Sequence, residues 1–194
     1  MTVPREREVT ASPILTDEDG RQWLDLTMGM GSLLLGHHCS AVTEAIAHQL
    51  RCGWPVGAGR RVVAEWIDWV RALVPCAHVV RPTASATEAN MLAIRIARAT
   101  TNREWVMRFA GHYHGCFDEA LTGNGVAGSG LHPLAASRVL VVDEDDDQRV
   151  EDFIATGRFA AVILEPGGGG GGILPYSEQR LRRCERPPSP MARR

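Results

Sequence analysis

Ala160-Ala161-Val162-Ile163-Leu164-Glu165-Pro166 runs five apolar residues into a carboxylate and a proline. A stretch without polar alternation is expected of a strand covered on both faces, as in a parallel sheet flanked by helices. Two further strands are predicted upstream, Glu104 to Phe109 and Arg138 to Val142, and a short helix over 147–156 separates the second from Ala160. A longer helix over 87–100 precedes the first of them. His78-Val79-Val80-Arg81 is a short strand candidate at the head of the series. Repeated strand–helix units imply an α/β arrangement with a mostly parallel sheet.

Towards the amino terminus the rhythm differs. Ile14-Leu15, then Asp17-Glu18-Asp19-Gly20, then Gln22 to Leu26 predicts a hairpin, because Asp-Gly between extended runs favours a tight turn. Residues 40–51 predict a helix capped by Ser40, with Val42, Ala45, Ile46 and Leu50 on one face. Residues 61–74 repeat the pattern with Val62, Val63, Trp66, Ile67, Val70 and Leu73. Beyond the last strand come six glycines, Gly167 to Gly172, and then residues 180–194 with six arginines and three prolines. Neither stretch supports a regular element. The expected organisation is a hairpin-and-helix segment over 1–75, a partial α/β domain over 76–176 and an irregular tail over 177–194. A doubly wound sheet would need further strands, so the chain reads as unfinished.

The 194 residues are 44% apolar, with a formal net charge of -2, which gives no electrostatic reason to expect nucleic acid or an anionic membrane as a partner. All 21 basic residues are arginine and none is lysine, which removes every mechanism that depends on a lysine side chain of this sequence. Five cysteines without a C-x-x-C pair point to neither a zinc ribbon nor a thioredoxin-type site. Met1 to Glu8 is charged, and the longest apolar runs fall far short of the roughly 20 residues a membrane span requires. A cytoplasmic protein with reduced thiols is expected.

Three stretches carry candidate chemistry. Ser85-Ala86-Thr87-Glu88-Ala89 leads into the 87–100 helix, where Ser85 and Glu88 fit a capping box. The free amides and positive dipole end of such a helix suit a phosphate. Phe109-Ala110-Gly111-His112-Tyr113-His114-Gly115 follows a predicted strand and presents an aromatic ring suited to stacking. Ile163-Leu164-Glu165-Pro166 ends another strand at its carboxyl edge, where α/β sheets gather ligands. Read singly, these are a well-capped helix, a polar turn and a solvated strand end.

Taken together, in order and spacing, they resemble the class III aminotransferases, the pyridoxal-phosphate family that includes glutamate-1-semialdehyde aminomutase. The family carries Ser-Gly-Thr-Glu-Ala, Phe-Glu-Gly-x-Tyr-His-Gly and a strand ending in Glu-Pro. Ala86 stands where the family has glycine. Weaker matches are Asp17 to Leu26, Gly36-His37-His38 and Ile173-Leu174-Pro175, so the likeness runs with gaps from about Leu15 to Pro175. The resemblance implies part of the three-layer large domain of a fold-type I pyridoxal-phosphate enzyme. It implies cofactor contacts from Ser85, Ala86, Thr87, Tyr113, His114 and Glu165. It implies amino-group transfer or migration on a small amino-bearing substrate, with the aminomutase branch favoured by the Tyr-His-Gly context and by Thr101-Asn102-Arg103.

After the Glu-Pro strand the family supplies an aspartate for the pyridine nitrogen and, much later, the lysine that holds the cofactor covalently. Neither is located here, so no catalytic residue is assigned and any cofactor binding is expected to be noncovalent and weak. Family active sites form at a dimer interface. The expected partner is therefore a second copy or a complementary half, and the expected state of the chain alone is inactive.

Two other patterns in the sequence are weaker. Gly123-Asn124-Gly125-Val126-Ala127-Gly128 matches a dinucleotide fingerprint, but a turn and helix precede it and Pro133 interrupts the helix that should follow. His112, His114 and Cys116 alternate as metal ligands would, but the family likeness explains His114 and Tyr113 without a metal, and no metal site is expected. Asp143 to Asp147 reads as a solvated loop with a helix cap.

Overall fold

The computed structural model describes residues 6–9, 13–53, 59–123, 128–143, 145–167, 178 and 181–182. The glycine run after Gly167, most of the predicted tail and residues 124–127 lie outside the described residues. The chain divides into two compact units, Met1–Val79 and Val80–Arg194.

In the first unit, strands Glu6–Val9 (β1), Ile14–Asp17 (β2) and Gln22–Leu24 (β3) form an antiparallel sheet in the order β1-β2-β3. The turn from β2 to β3 is the predicted one. Gly20 takes a φ of 80°, which glycine adopts without a Cβ penalty. Asp17 organises the turn from a buried position: its carboxylate accepts from the amides of Asp19 and Arg21 and from the Trp23 indole, at 3.0, 2.8 and 2.9 Å. The Trp23 hydrogen bond, with those two amides, holds the Asp17 carboxyl below the usual carboxylate range. β1 had no counterpart in the sequence reading, because its charged composition hides a strand that exists by pairing.

Helices Ser40–Arg51 (α1) and Arg61–Leu73 (α2) follow. The predicted cap is displaced by one residue: Cys39, in an extended conformation, holds the cap position of α1 and makes no side-chain cap bond, while Ser40 is already helical. Neither helix buries a residue. The apolar faces predicted from periodicity are present but exposed, with Trp66 and Trp69 at 49% and 69%. His78 to Arg81 is not a strand. Four residues of suitable composition form no strand without a neighbour to bond to.

The second unit begins with Ala86–Thr101 (α3), followed by strand Trp105–Phe109 (β4) and the short helices Asp118–Leu121 (α4) and Pro133–Ala136 (α5). Strand Val139–Val142 (β5), helix Asp147–Ala155 (α6) and strand Phe159–Ile163 (β6) complete it. The sheet is parallel with β4 central, in the order β5-β4-β6. On β4, Met107 and Phe109 face a core shared with Val142, Val150 and Phe159, over which α6 also lays Phe153 and Ile154. Side chains alternate across a strand, so Val106 and Arg108 point to the opposite face, and both are buried. The sheet is therefore covered on both sides at its centre, which gives the expected three layers. β6 departs from expectation: Phe159 is buried, but Ala160 to Ile163 are half-buried, because among the described residues β6 pairs with β4 alone.

Three local features complete the picture. Asp146 caps α6 by accepting from the Arg149 amide at 3.1 Å, as predicted for the acidic run. Pro133 does not interrupt a helix but starts α5, at a position where its missing N–H costs nothing. Gly123 follows α4 rather than a strand, and a Cβ there would stand 2.8 Å from a Val141 methyl. That glycine serves packing against β5.

Candidate functional site

The site is assembled at the carboxyl ends of β4 and β6, beside the amino terminus of α3. Ser85 is the cap residue of α3 and its hydroxyl accepts from the Glu88 amide at 3.2 Å. Glu88 completes the box one residue further back than expected, accepting from the Ala84 amide at 2.7 Å. The Ala89 amide donates to the Ser85 carbonyl. Ala86 and Thr87 are the first two helical residues, whose amides have no partner within the helix. Ala86 is exposed and helical; it is absent from the residues with positive φ, so alanine in place of glycine carries no backbone strain here.

The loop after β4 is held from several directions. Arg108, 1% exposed, donates from its guanidinium to the carbonyls of His112 and Thr122. The Glu165 amide donates to His112 Nδ1 at 2.8 Å, which makes that nitrogen an acceptor and puts the ring proton on Nε2. In return Glu165 Oε2 accepts from the Tyr113 amide at 2.9 Å. Asn90 on α3 donates to the His114 carbonyl at 2.9 Å. Gly115, at a φ of 116°, lies so close to α3 that a Cβ would meet Thr87 Oγ1 at 2.5 Å.

Three of the four loop residues, His112, His114 and Gly115, are buried, and Tyr113 is 59% exposed. Its hydroxyl lies 3.0 Å from Cys116 Sγ, a hydrogen bond that raises the phenol above its ordinary value. Burial pushes His114 down to about 4, helped by the positive charge of Arg108, so its ring is neutral through the physiological range. Arg108 is lowered by its own burial and raised in part by the Glu165 carboxylate. Arginine is too basic for this to remove its charge.

The structure thus brings Thr87, Tyr113, His114 and Glu165 together, with Ser85 and Ala86 on the same helix terminus. Sequence reasoning missed Asn90, Arg108, His112 and Gly115. One signal was legible: Arg108 is a charge in the middle of the otherwise apolar Trp105–Phe109 strand, and such a charge is kept only where partners exist. Among the described residues no cluster of His, Cys, Asp or Glu could hold a metal ion, and no helix is long and apolar enough to cross a membrane.

A parallel three-layer sheet with a helix terminus and an aromatic loop at its carboxyl edge defines the large-domain architecture of fold-type I pyridoxal-phosphate enzymes. The chain belongs to the class III aminotransferase family, whose model matches residues 4–186. It is 36% identical over 164 residues to a glutamate-1-semialdehyde 2,1-aminomutase of Sulfurisphaera tokodaii, covering 80% of this chain and 39% of that protein. It is 35% identical over 170 residues to the Leptospira interrogans protein of that name, covering 82% and 38%. An omega-transaminase from Sphaerobacter thermophilus superposes with a TM-score of 0.84 at 28% identity, over 93% of this chain and 44% of that one. A glutamate-1-semialdehyde-aminomutase from Pseudomonas aeruginosa superposes with a TM-score of 0.78 at 28% identity, over 93% and 42%. The chain spans about two fifths of the length of these relatives.

Proposed function

We propose that these 194 residues form the phosphate-seating and ring-seating portion, centred on 76–176, of a pyridoxal-phosphate-dependent aminotransferase or aminomutase. They complete no amino-group transfer alone. The observation that carries this reading is the convergence of the α3 terminus and the Tyr113 loop at one sheet edge, in a sequence without lysine.

The donor set fits a phosphate. The amides of Ala86 and Thr87 lie at the positive end of a 16-residue helix, and the Thr87 hydroxyl stands beside them. Ser85 accepts from Glu88 and keeps its own hydroxyl proton to donate. The exposed face of Tyr113 suits stacking against a flat ring. Neutral His114 lets the loop pack against Arg108 without a second buried cation. Pyridoxal phosphate, when bound, supplies an electron sink for reactions at an amino-bearing carbon. The residues of this sequence bind and orient it; none fits the covalent attachment, because that takes a lysine.

The lysine and the aspartate for the pyridine nitrogen would come from a further polypeptide segment, a complementary half, since a second copy of this sequence carries no lysine either. The exposed apolar faces of α1 and α2 favour such an association. The substrate would be a small amino-bearing aldehyde or acid, with the aminomutase reaction favoured by the relatives' names, in the cytoplasm. The test is an absorbance titration with pyridoxal phosphate, then borohydride reduction and intact-mass analysis. Reversible spectral change without a side-chain adduct is expected. A stoichiometric adduct on an internal side chain would refute the reading.

A further inference from the structure

We infer that Glu165 is a positioning residue: its carboxylate sets the Tyr113 ring by holding the Tyr113 amide, and it does not itself meet the ligand. The inference rests on the reading of Tyr113 as the ring-stacking residue. The loop 112–115 is fixed at every residue by a different partner. Arg108 holds the His112 carbonyl, Glu165 the Tyr113 amide, Asn90 the His114 carbonyl, and Gly115 lies against Thr87. What these contacts leave exposed is the Tyr113 side chain.

Glu165 contributes to this twice, through Oε2 to the Tyr113 amide at 2.9 Å and through its own amide to His112 Nδ1 at 2.8 Å. The second contact uses the backbone and survives any substitution other than proline. The first depends on side-chain length. An acceptor at the end of a two-methylene stem reaches the amide; a shorter stem does not. Reach and charge are therefore separable. Glu165→Gln keeps an acceptor oxygen at the same distance and removes the charge. Glu165→Asp keeps the charge and withdraws it by one methylene.

Cys116 supplies a readout that needs no cofactor, because its Sγ lies 3.0 Å from the Tyr113 hydroxyl. Alkylation of the intact protein by iodoacetamide, resolved by peptide mass spectrometry, reports on Cys116 separately from Cys52 and Cys76; all three are exposed, and of them only Cys116 lies against the Tyr113 hydroxyl. Glu165→Asp should speed Cys116 alkylation several-fold and leave Cys52 and Cys76 unchanged. Glu165→Gln should stay close to the unsubstituted protein. Binding of pyridoxamine phosphate, followed by fluorescence, should weaken about tenfold in Glu165→Asp, the equivalent of one lost hydrogen bond. In a Tyr113→Ala background, Glu165→Asp should weaken it no further.

Weakening in Glu165→Gln with Glu165→Asp unaffected would overturn the proposal, because the charge would then be what matters. So would Cys116 rates unchanged in both. If Cys116 responds as expected but no form of the protein binds pyridoxamine phosphate, the positioning of Tyr113 stands and the cofactor reading fails.

Discussion

Gly115→Ala tests the packing that joins the loop to the helix. Gly115 has a φ of 116°, outside the region open to other residues at little cost, and strain of this kind is worth about 1–3 kcal/mol. The added methyl would also stand 2.5 Å from Thr87 Oγ1 and 2.9 Å from its Cα and Cβ. Two of those atoms lie on or next to the helix backbone, so the contact cannot be relieved by a rotamer change alone; overpacking adds about 1–3 kcal/mol. The sum, about 2–6 kcal/mol, is roughly a thirty-fold to twenty-thousand-fold shift in the opening equilibrium. Gly111→Ala is the control: its φ is 78°, but nothing lies within 4 Å of the added carbon, so only a backbone cost of about 1–2 kcal/mol applies. Hydrogen exchange at the amides of β4 and at the bonded amides of Glu88 and Ala89 in α3 measures both variants. Protection should fall far more in Gly115→Ala, and pyridoxamine phosphate affinity should fall with it. Equal losses in the two variants would refute the close approach of Gly115 to Thr87.

The remaining expectations concern charge, capping and surface. The folded value of His114, about 4, lies below its ordinary 6.5, so unfolded chains take up the proton first. The His114 contribution to stability should be constant above about pH 6.5 and decline by roughly 1–2 kcal/mol towards pH 4, as read by urea unfolding across that range, below which protonation of the Asp17 carboxyl takes over the loss; a flat profile between about pH 6.5 and 4 would contradict the burial of that ring. Arg108→Met removes charged donors from the carbonyls of His112 and Thr122 and should cost about 3–5 kcal/mol in the same assay. A loss under about 1 kcal/mol would mean those contacts are dispensable. Asn102 ends α3 in the left-handed region at a φ of 53°. Asn102→Val should lower the melting midpoint through about 1–2 kcal/mol of strain while Asn102→Gly does not, and equal midpoints would refute the left-handed cap. Trp69→Glu, placed on the exposed face of α2, should weaken the concentration-dependent association expected of the chain in sedimentation. A chain that is monomeric at all concentrations would count against the docking of that face.

Much of this protein was legible along the chain. The helices α1, α2, α3 and α6 and the strands β4, β5 and β6 appear within one or two residues of where periodicity places them, because each is written in local apolar spacing. The Asp17–Gly20 turn, the Ser85 cap and the Asp146 cap were legible for the same reason: their partners lie within a few residues. The absence of lysine is a property of sequence alone, and no structure alters it. Local pattern failed where an element exists only through a neighbour. β1 forms by pairing with β2 despite its charged sequence, and His78 to Arg81 stays irregular despite its strand-like one.

The working parts of the site belong to tertiary structure. Asn90 reaches a carbonyl 24 residues away, and Glu165 reaches residues 52 and 53 positions back. No window of sequence contains both ends of such contacts. The sequence marked Glu165 as a carboxylate at a strand end and Gly115 as a glycine in a motif. Only the placement of β6 beside β4 turned the first into a hold on the Tyr113 amide. Only the packing of α3 against the loop gave the second its reason to lack a side chain.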